Sequence, residues 1–250
     1  MLRFLRQLRQ NKISQNQFRK YFLYALGEVL LVVIGILLAL QIDAWNNGRI
    51  LKQKELLYLK EIRVQLQEDL ETIGYTIDFN QNKDSAITNS LGAMLHSNSN
   101  LQAMFEISKN MPVLAEYSVF TQNRVAFDNM LSAENIDLIS SDTLRTLLSN
   151  YYAEENLLNG TQERIKELTR IFVDHMSPML MTRENINQLF QTDNAFVSGS
   201  EIDFRTNPVV FGDLFSMQRN IDAHNVYLED YQQDIEIIIT QIDQFLSSVH

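Results

Sequence analysis

The sequence predicts an all-α protein: an N-terminal transmembrane helix extended into a long stalk helix, packed with a C-terminal heptad helix in an extracytoplasmic helical bundle. Three observations lead to this prediction. One segment of twenty residues is almost wholly apolar, the apolar residues elsewhere recur every three or four positions, and the 250 residues include only three prolines and eight glycines. Spacing by three and four is typical of amphipathic helices, whereas a β fold rich in turns needs more glycine and proline.

The predicted transmembrane helix occupies residues 21–45, and Glu28 is the only charged residue among its first twenty. Twenty residues of helix span ~30 Å, which is the thickness of the hydrocarbon core of a bilayer. Tyrosines at one end and Trp45 at the other suit the two membrane interfaces. A cleavable signal peptide is the alternative, but it fits poorly because the apolar run is too long and no small-residue cleavage site follows Ala39.

The charges on either side of this segment predict its orientation. Residues 1–20 contain six Lys or Arg and no acid, against four basic residues over a comparable distance after the segment. This bias predicts a bacterial inner-membrane protein with a single span, a basic cytoplasmic arm (1–20) and an extracytoplasmic, periplasmic helical domain (46–250). That domain has 15 basic and 29 acidic residues, which argues against a nucleic-acid partner. The lipid bilayer is therefore the first predicted partner.

The stalk helix is predicted from Asn47 to His96, ending at the turn-forming run S-N-S-N. Its predicted apolar stripe, which Asn80 and Asp84 interrupt, consists of Leu59, Ile62, Leu66, Leu70, Ile73, Ile77, Ile87, Leu91 and Met94. Further on, the spacing predicts a helix over Ser118–Ser132, and the serines before Asp142 offer N-caps to another that runs to about Met176. Gly160 and the Ser177-Pro178 pair are the expected breakpoints of that helix. Residues 181–212 are polar and predict short helices and loops.

The C-terminal part of the chain has the most regular pattern. Eleven positions alternate steps of three and four, and ten of them are apolar or aromatic. We call this set the heptad seam: Leu214, Met217, Ile221, His224, Leu228, Tyr231, Ile235, Ile238, Ile242, Phe245 and Val249. A coiled-coil pattern of this length predicts packing along another helix, and the stalk helix in antiparallel orientation is the simplest partner.

Two segments resemble a family of bacterial single-pass membrane proteins of unknown function, domain-of-unknown-function family 6090. They are K-Y-F-L-Y-A-L-G-E-V-L-L-V-V-I-G-I-L-L-A-L-Q-I-D-A-W, Lys20 to Trp45, and V-A-F-D-N-M-L-S-A-E-N-I-D-L-I-S-S-D-T-L-R-T-L-L-S-N-Y-Y, Val125 to Tyr152. The resemblance implies a membrane location and no activity. The family usually carries a glycine near the position of Glu134, so the resemblance implies a tight turn that differs here.

The sequence offers no catalytic, cofactor or metal-binding motif, so we predict that the protein is not an enzyme. The four histidines match no metal-ligand spacing, and the chain has no cysteine, which excludes disulfides and thiolate chemistry. His224 lies on the heptad seam, where a histidine bonded to a polar neighbour is the favoured interpretation. Phe120, Phe127, Tyr151 and Tyr152 either line a ligand pocket or, as is more usual for aromatics at helical spacing, pack in the core.

Glu28 needs a separate explanation, because an ionisable side chain inside a membrane is costly. On a heptad projection it shares one face of the helix with small residues. We call this set the membrane face: Ala25, Glu28, Val32, Gly35, Ala39 and Ile42. Gly35 and Ala39 form a small-xxx-small pair, which allows helix backbones to approach closely and predicts a homo-oligomer through the transmembrane helix. The alternatives are that Glu28 snorkels toward Lys20 or lies on a proton or ion path.

These features lead to three hypotheses about function. The first, which we favour, is a membrane-anchored non-enzymatic helical ectodomain that acts as a scaffold, an assembly subunit or a module that binds a membrane-protein partner. The second is an extracytoplasmic sensor-like domain that signals through a partner. The third is an accessory subunit of a channel or transporter.

Overall fold

The computed structural model describes residues 2–153, 155–180 and 202–248, with the side chains of 2–18, 21, 155–157 and 180 excepted. Within those residues the protein is helical and contains no strand, which confirms the predicted all-α class. The helices are α1 (Leu2–His96), α2 (Asn100–Leu114), α3 (Val125–Ser132), α4 (Asp142–Ala153), α5 (Glu155–Leu180) and α6 (Pro208–Ser248). Short 3-10 turns lie at Ile136–Leu138 and Phe204–Thr206.

The chain divides into two compact units, Met1–Leu56 and Leu57–His250. The first unit is the N-terminal part of α1. It contains the one stretch of the described chain that is long and apolar enough to cross a membrane, with a mean hydropathy of 2.6 over eighteen residues and no buried side chain. The prediction of a single apolar helix near the N-terminus is therefore confirmed.

In the second unit, α1 and α6 pack side by side in antiparallel orientation, as the sequence predicts. Three contacts set this direction. Arg63 pairs with Asp243 at 2.6 Å, the Asn80 amide lies 3.0 Å from His224 Nδ1, and Gln218 donates to Asp84 at 2.8 Å. As the residue number rises along α1 its partner's number falls along α6, which only antiparallel helices allow.

Two hydrophobic clusters fill this unit, and a polar layer lies between them along both helices. The first cluster joins Leu59–Ile73 of α1 to Leu228–Ile242 of α6, with side chains from α3 and α4. The second joins the C-terminal end of α1 to α2, α5 and the start of α6. Between the clusters α1 buries Thr76, Asn80 and Lys83, and α6 buries His224. The core is thus interrupted by polar groups at mid-length.

The helix predicted over Ser118–Ser132 is wrong in its first half. Helix α3 begins only at Val125, and residues 116–124 are not helical. The prediction failed because apolar spacing records which side chains are buried, not where the backbone finds its hydrogen bonds. In this segment the backbone bonds to side chains of other helices, which stabilises an extended chain.

The helix predicted from the cap before Asp142 to about Met176 differs from the structure at its expected breakpoints. The start is correct, since Ser141 Oγ accepts from the amide of Leu144. Residue 154, between α4 and α5, lies outside the described residues; further on, α5 passes over Gly160 and ends two residues after Pro178. A proline in the last turn of a helix removes one backbone hydrogen bond. The loss is small because the helix ends directly afterwards, so proline is tolerated there.

Residues 181–201, part of the region predicted as short helices and loops, lie outside the described residues. The rest of that region has a 3-10 turn and then the start of α6, where the Asn207 side chain accepts from the amides of Val209 and Val210. Pro208 occupies the first helical position, which suits its fixed φ and missing N–H. Helix α6 therefore begins earlier than the heptad seam.

The turn after α3 has the backbone that the family resemblance associates with glycine. Glu134 has φ 55°, in the left-handed region. The Glu134 amide donates to Leu131 O and the Asn135 amide to Met130 O, which together form a Schellman motif. The turn is thus the one that glycine favours, and Glu134 adopts it at a conformational cost.

Candidate functional site: the connector and its helices

The most unusual part of the second unit is the segment between α2 and α3, residues 115–124, which we call the connector. Apart from its two end residues it runs through the bundle without the hydrogen bonds of an α-helix, and its Phe120 is only 1 % exposed. Buried backbone amides and carbonyls must be paired. The connector finds its partners in side chains of α1 and α5 and in carbonyls of α4.

The first half of the connector is held by a lysine and a threonine of α1. Lys83 Nζ donates to the Glu116 carbonyl and, at 2.9 Å, to Thr169 Oγ1 of α5. Thr76 Oγ1 lies 3.1 Å from Ser118 Oγ. One buried cation therefore joins α1, α5 and the connector.

The middle of the connector is held by Gln162 of α5. Its Oε1 accepts from the Phe120 amide at 2.6 Å, and its Nε2 donates to the Phe120 carbonyl at 3.0 Å. A side-chain amide offers one acceptor and a donor pair, so it can satisfy both backbone groups of one residue. Gln162 thereby supplies the pairing that a neighbouring β-strand would give.

The second half of the connector is held by Asp69 of α1. The carboxylate accepts from the Asn123 amide at 2.9 Å through Oδ1 and from the Tyr151 hydroxyl at 2.9 Å through Oδ2. One turn away on the same face, Gln65 accepts from the amide of Ala126, at the start of α3. The connector thus runs antiparallel to α1.

Two connector side chains bond in turn to the C-terminal end of α4. Gln122 Nε2 donates to the Tyr151 carbonyl at 2.8 Å, and Arg124 donates to the Tyr152 carbonyl at 2.7 Å. The last carbonyls of a helix have no partner within it, and a cation there also favours the helix dipole. These two bonds therefore tie the connector to the C-terminal end of α4.

The four aromatic residues singled out in the sequence meet in this part of the bundle. Tyr152 stacks on Phe127 at 4.3 Å and contacts Tyr151 edge-on at 4.9 Å, while Phe120 packs against Tyr231 at 6.2 Å. All five side chains are buried. The rings fill one another's space, which favours the core interpretation over a ligand pocket.

The charged groups that hold the connector have shifted pKa values. Burial raises the pKa of Asp69 above its usual range, against the hydrogen bonds from Asn123 and Tyr151. Burial lowers the pKa of Lys83 to about 8, and the Glu116 carboxylate opposes that shift. In both cases the loss of water outweighs the stabilisation that the surroundings give to the charge.

His224 lies on the opposite side of the polar layer and is completely buried. Burial lowers its pKa to about 4, so it is neutral at pH 7. Its Nδ1 faces the Asn80 amide, and its Nε2 has no hydrogen-bond partner among the described residues. In the part of the chain that the structure describes, no three His, Asp or Glu side chains gather as a metal site requires.

The structure buries the first nine positions of the heptad seam, from Leu214 to Ile242. Phe245 is partly buried at the edge of the first cluster, and Val249 lies outside the described residues. The membrane-face residues Ala25, Glu28, Val32, Gly35, Ala39 and Ile42 are all exposed. Nothing lies within 4 Å of a Cβ built on Gly35, so this face has no partner within the first unit.

Sequence reasoning missed the residues that hold the connector. Asp69, Thr76 and Lys83 are polar, and the apolar stripe assigned to α1 passed beside them. One signal was present: these residues continue the same steps of three and four as Leu59, Ile62, Leu66 and Ile73. Polar residues in register with a buried face mark groups that need buried partners.

A family model matches the part of the chain that contains the connector. Residues 28–163, more than half of the chain, match a family of unknown function (DUF6090). The chain belongs to this family. The matched range includes the connector, the α1 residues that bond to it, α4 and Gln162, whereas α6 lies outside it. No match was found among curated proteins or among solved structures.

Proposed function

We propose that this protein is a membrane-anchored, non-enzymatic helical domain that acts as a scaffold, assembly or partner-binding subunit. The observation that carries the proposal is the division of α1: its residues 22–45 include the apolar stretch and are all exposed, whereas its later part is a core helix of the bundle. An apolar helix without protein around it needs lipid or another helix. The polar side chains of the connector site bond to backbone groups and to other side chains of the bundle, a structural rather than a catalytic use.

The proposed location is the bacterial inner membrane, with the basic arm in the cytoplasm and residues 46–250 in the periplasm. The bias of positive charge before the span supports it. The chain has no cysteine, so single cysteines can report the topology. A membrane-impermeant maleimide applied to intact spheroplasts should label Ser248→Cys and leave Asn11→Cys unlabelled until the cells are lysed. Labelling of Asn11→Cys alone in intact cells would reverse the assignment.

We further propose that copies of the chain associate through the membrane face. A Cβ added at Gly35 would meet open space, and lipid offers no hydrogen-bond partner for Glu28. Gly35→Ile should weaken cross-linking in native membranes because it keeps the backbones apart, whereas Leu37→Ile, off this face, should leave it unchanged. Glu28→Gln should preserve association, because an amide also forms interhelical hydrogen bonds. Wild-type protein that stays monomeric, or Gly35→Ile protein that cross-links as well as wild type, would contradict the proposal.

The sensor-like alternative is favoured by one observation. Helix α1 contains the candidate span and also holds the connector through Asp69 and Lys83. A partner that binds the bundle could thus act on the helix that enters the membrane. The two functions differ in outcome: purification from native membranes should give a complex of fixed composition for a scaffold, and a small molecule retained in the bundle for a sensor.

A further inference from the structure

The two charged side chains that hold the connector are both buried without an opposite charge bonded to them. Asp69 is 2 % exposed and Lys83 is 1 % exposed. The hydrogen-bond partners of Asp69 are a backbone amide and a tyrosine hydroxyl, and those of Lys83 are a backbone carbonyl and a threonine hydroxyl. Among the described residues neither forms a salt bridge.

Burying a charge beside neutral dipoles costs more free energy than the dipoles return, unless the geometry compensates fully. If the connector separated from α1, both charges would regain water. The closed connector therefore bears the cost of two desolvated charges, while the packing of Phe120 and the Gln162 pairing hold it in place. The buried face of α6 bears no such desolvation cost, because it carries no charged group at neutral pH.

We propose that the connector is a segment that opens reversibly, because Asp69 and Lys83 hold it on α1 at the cost of burying two unpaired charges. Local opening of this kind needs less free energy than unfolding of the whole bundle. Opening would expose the backbone groups of the connector and the aromatic side chains beneath it.

The directions of the pKa shifts agree with this account. A carboxyl whose pKa is higher in the closed state binds protons more tightly there, so acidification favours closure. An amine whose pKa is lower in the closed state favours closure when the pH rises instead. The connector is then held least firmly near neutral pH, where both groups are charged.

Other titratable groups lie around these two, and the experiment has to separate them. Around Asp69 they are Glu68 of α1, Arg124 of the connector, Asp128 of α3, Tyr151 and Tyr152 of α4, and Tyr231 of α6. Near Lys83 the charged group is Glu116, which is exposed. Each is unchanged in the variants below, so differences from wild type report Asp69 and Lys83.

The test is hydrogen exchange of the full chain in lipid nanodiscs, followed in peptides that cover residues 116–126 and, as a reference, 232–242 of α6. Asp69→Asn keeps an acceptor for the Asn123 amide and removes the charge. Lys83→Met keeps the length of the side chain and removes the charge. Each should raise the protection of the connector at pH 7 by about tenfold, with the α6 reference unchanged. Glu71→Gln, which removes an exposed carboxylate of α1, should leave both peptides as in wild type.

Acidification gives a second measurement that requires no substitution. As the pH falls from 7 toward 3.8, the ordinary pKa of an aspartate, protection of residues 116–126 should rise in wild type and stay constant in Asp69→Asn, after correction for intrinsic exchange and relative to the α6 reference. A fall in connector protection in both neutral variants would show that the charges hold the segment closed, and would overturn the proposal. So would wild-type connector amides that are protected as strongly as those of α6.

Discussion

Helices α1 and α6 bury faces of similar length with different chemistry. In the second unit, α1 buries twelve side chains, of which Asp69, Thr76, Asn80, Lys83 and Ser90 are polar. The ten that α6 buries are apolar or aromatic except for His224. The difference follows from what each face contacts. Helix α6 packs against other side chains, whereas α1 also faces a segment of chain whose backbone needs hydrogen bonds.

The two helices contribute to the stability and shape of the bundle in different ways. Burial of each large apolar side chain of α6 contributes about 1.5–3 kcal/mol to folding before conformational entropy is counted. The polar groups of α1 contribute little net free energy, because hydrogen bonds in the protein replace hydrogen bonds to water. They decide instead which path the connector takes through the bundle.

The largest expected effect comes from placing a charge on the α6 face. Ile235→Asp should destabilise the bundle by more than about 4 kcal/mol, because the new carboxylate is buried among apolar side chains with no partner. Thermal unfolding followed by circular dichroism measures it. Gln233→Asp, on the exposed side of the same turn, is the control and should change stability by less than about 0.5 kcal/mol. Equal losses of stability in the two variants would refute the assignment of this α6 face to the core of the bundle.

Removal of the Gln162 side chain should have the next largest effect. Gln162→Ala leaves the amide and the carbonyl of Phe120 buried without partners, at about 1–3 kcal/mol for each group. We expect a loss of about 4 kcal/mol in denaturant titration. Gln233→Ala serves as the control on an exposed glutamine. A loss below about 1 kcal/mol would mean that the connector backbone is not held by this pair.

Titration of Lys83 should change the stability of the fold with pH by an amount smaller than the two losses above. Its pKa of about 8 in the fold lies below the usual 10.5, so the unfolded chain binds more protons between these values. Stability should therefore rise by up to about 3 kcal/mol as the pH increases from 8 to 10.5, and show no contribution from this group below pH 8. The rise is measured as the difference in the free energy of unfolding between wild type and Lys83→Met. Tyrosine ionisation contributes equally to both proteins and cancels in that difference. Parallel pH profiles for the two proteins would contradict it.

The smallest expected change in stability comes from Glu134, which belongs to neither the α1 nor the α6 buried face. Glu134→Gly should stabilise the protein by about 1 kcal/mol, because glycine adopts the left-handed conformation of this turn without a Cβ clash. Glu134→Ala removes the same carboxylate but keeps the clash, so it should not stabilise. A gain in melting temperature shared by both variants would assign the effect to charge instead of backbone.

The sequence predicted α6 well because its buried face is uniform. Leu214, Ile221, Leu228 and Ile235 follow one another at seven residues, and the structure buries each of them. The same reasoning misjudged α1. Leu70 and Ile77 were assigned to its buried stripe and are only partly buried, whereas Asp69, Thr76 and Lys83 beside them are fully buried. Hydrophobicity measures the tendency of a side chain to leave water. It does not identify polar side chains that are buried because they bond to other buried polar groups.

By itself the sequence determined the helical class, the apolar N-terminal helix, the end of α1 at the S-N-S-N run and the antiparallel packing of α6. Each of these depends on local preference or on one hydrophobic pattern. Only the tertiary structure decided the path of the connector, because its stabilising bonds join residues far apart in sequence, such as Asp69 with Asn123 and Phe120 with Gln162. Hydrogen bonds of this kind leave no periodic signal, since the partner of each group is set by the fold and not by its neighbours in the chain.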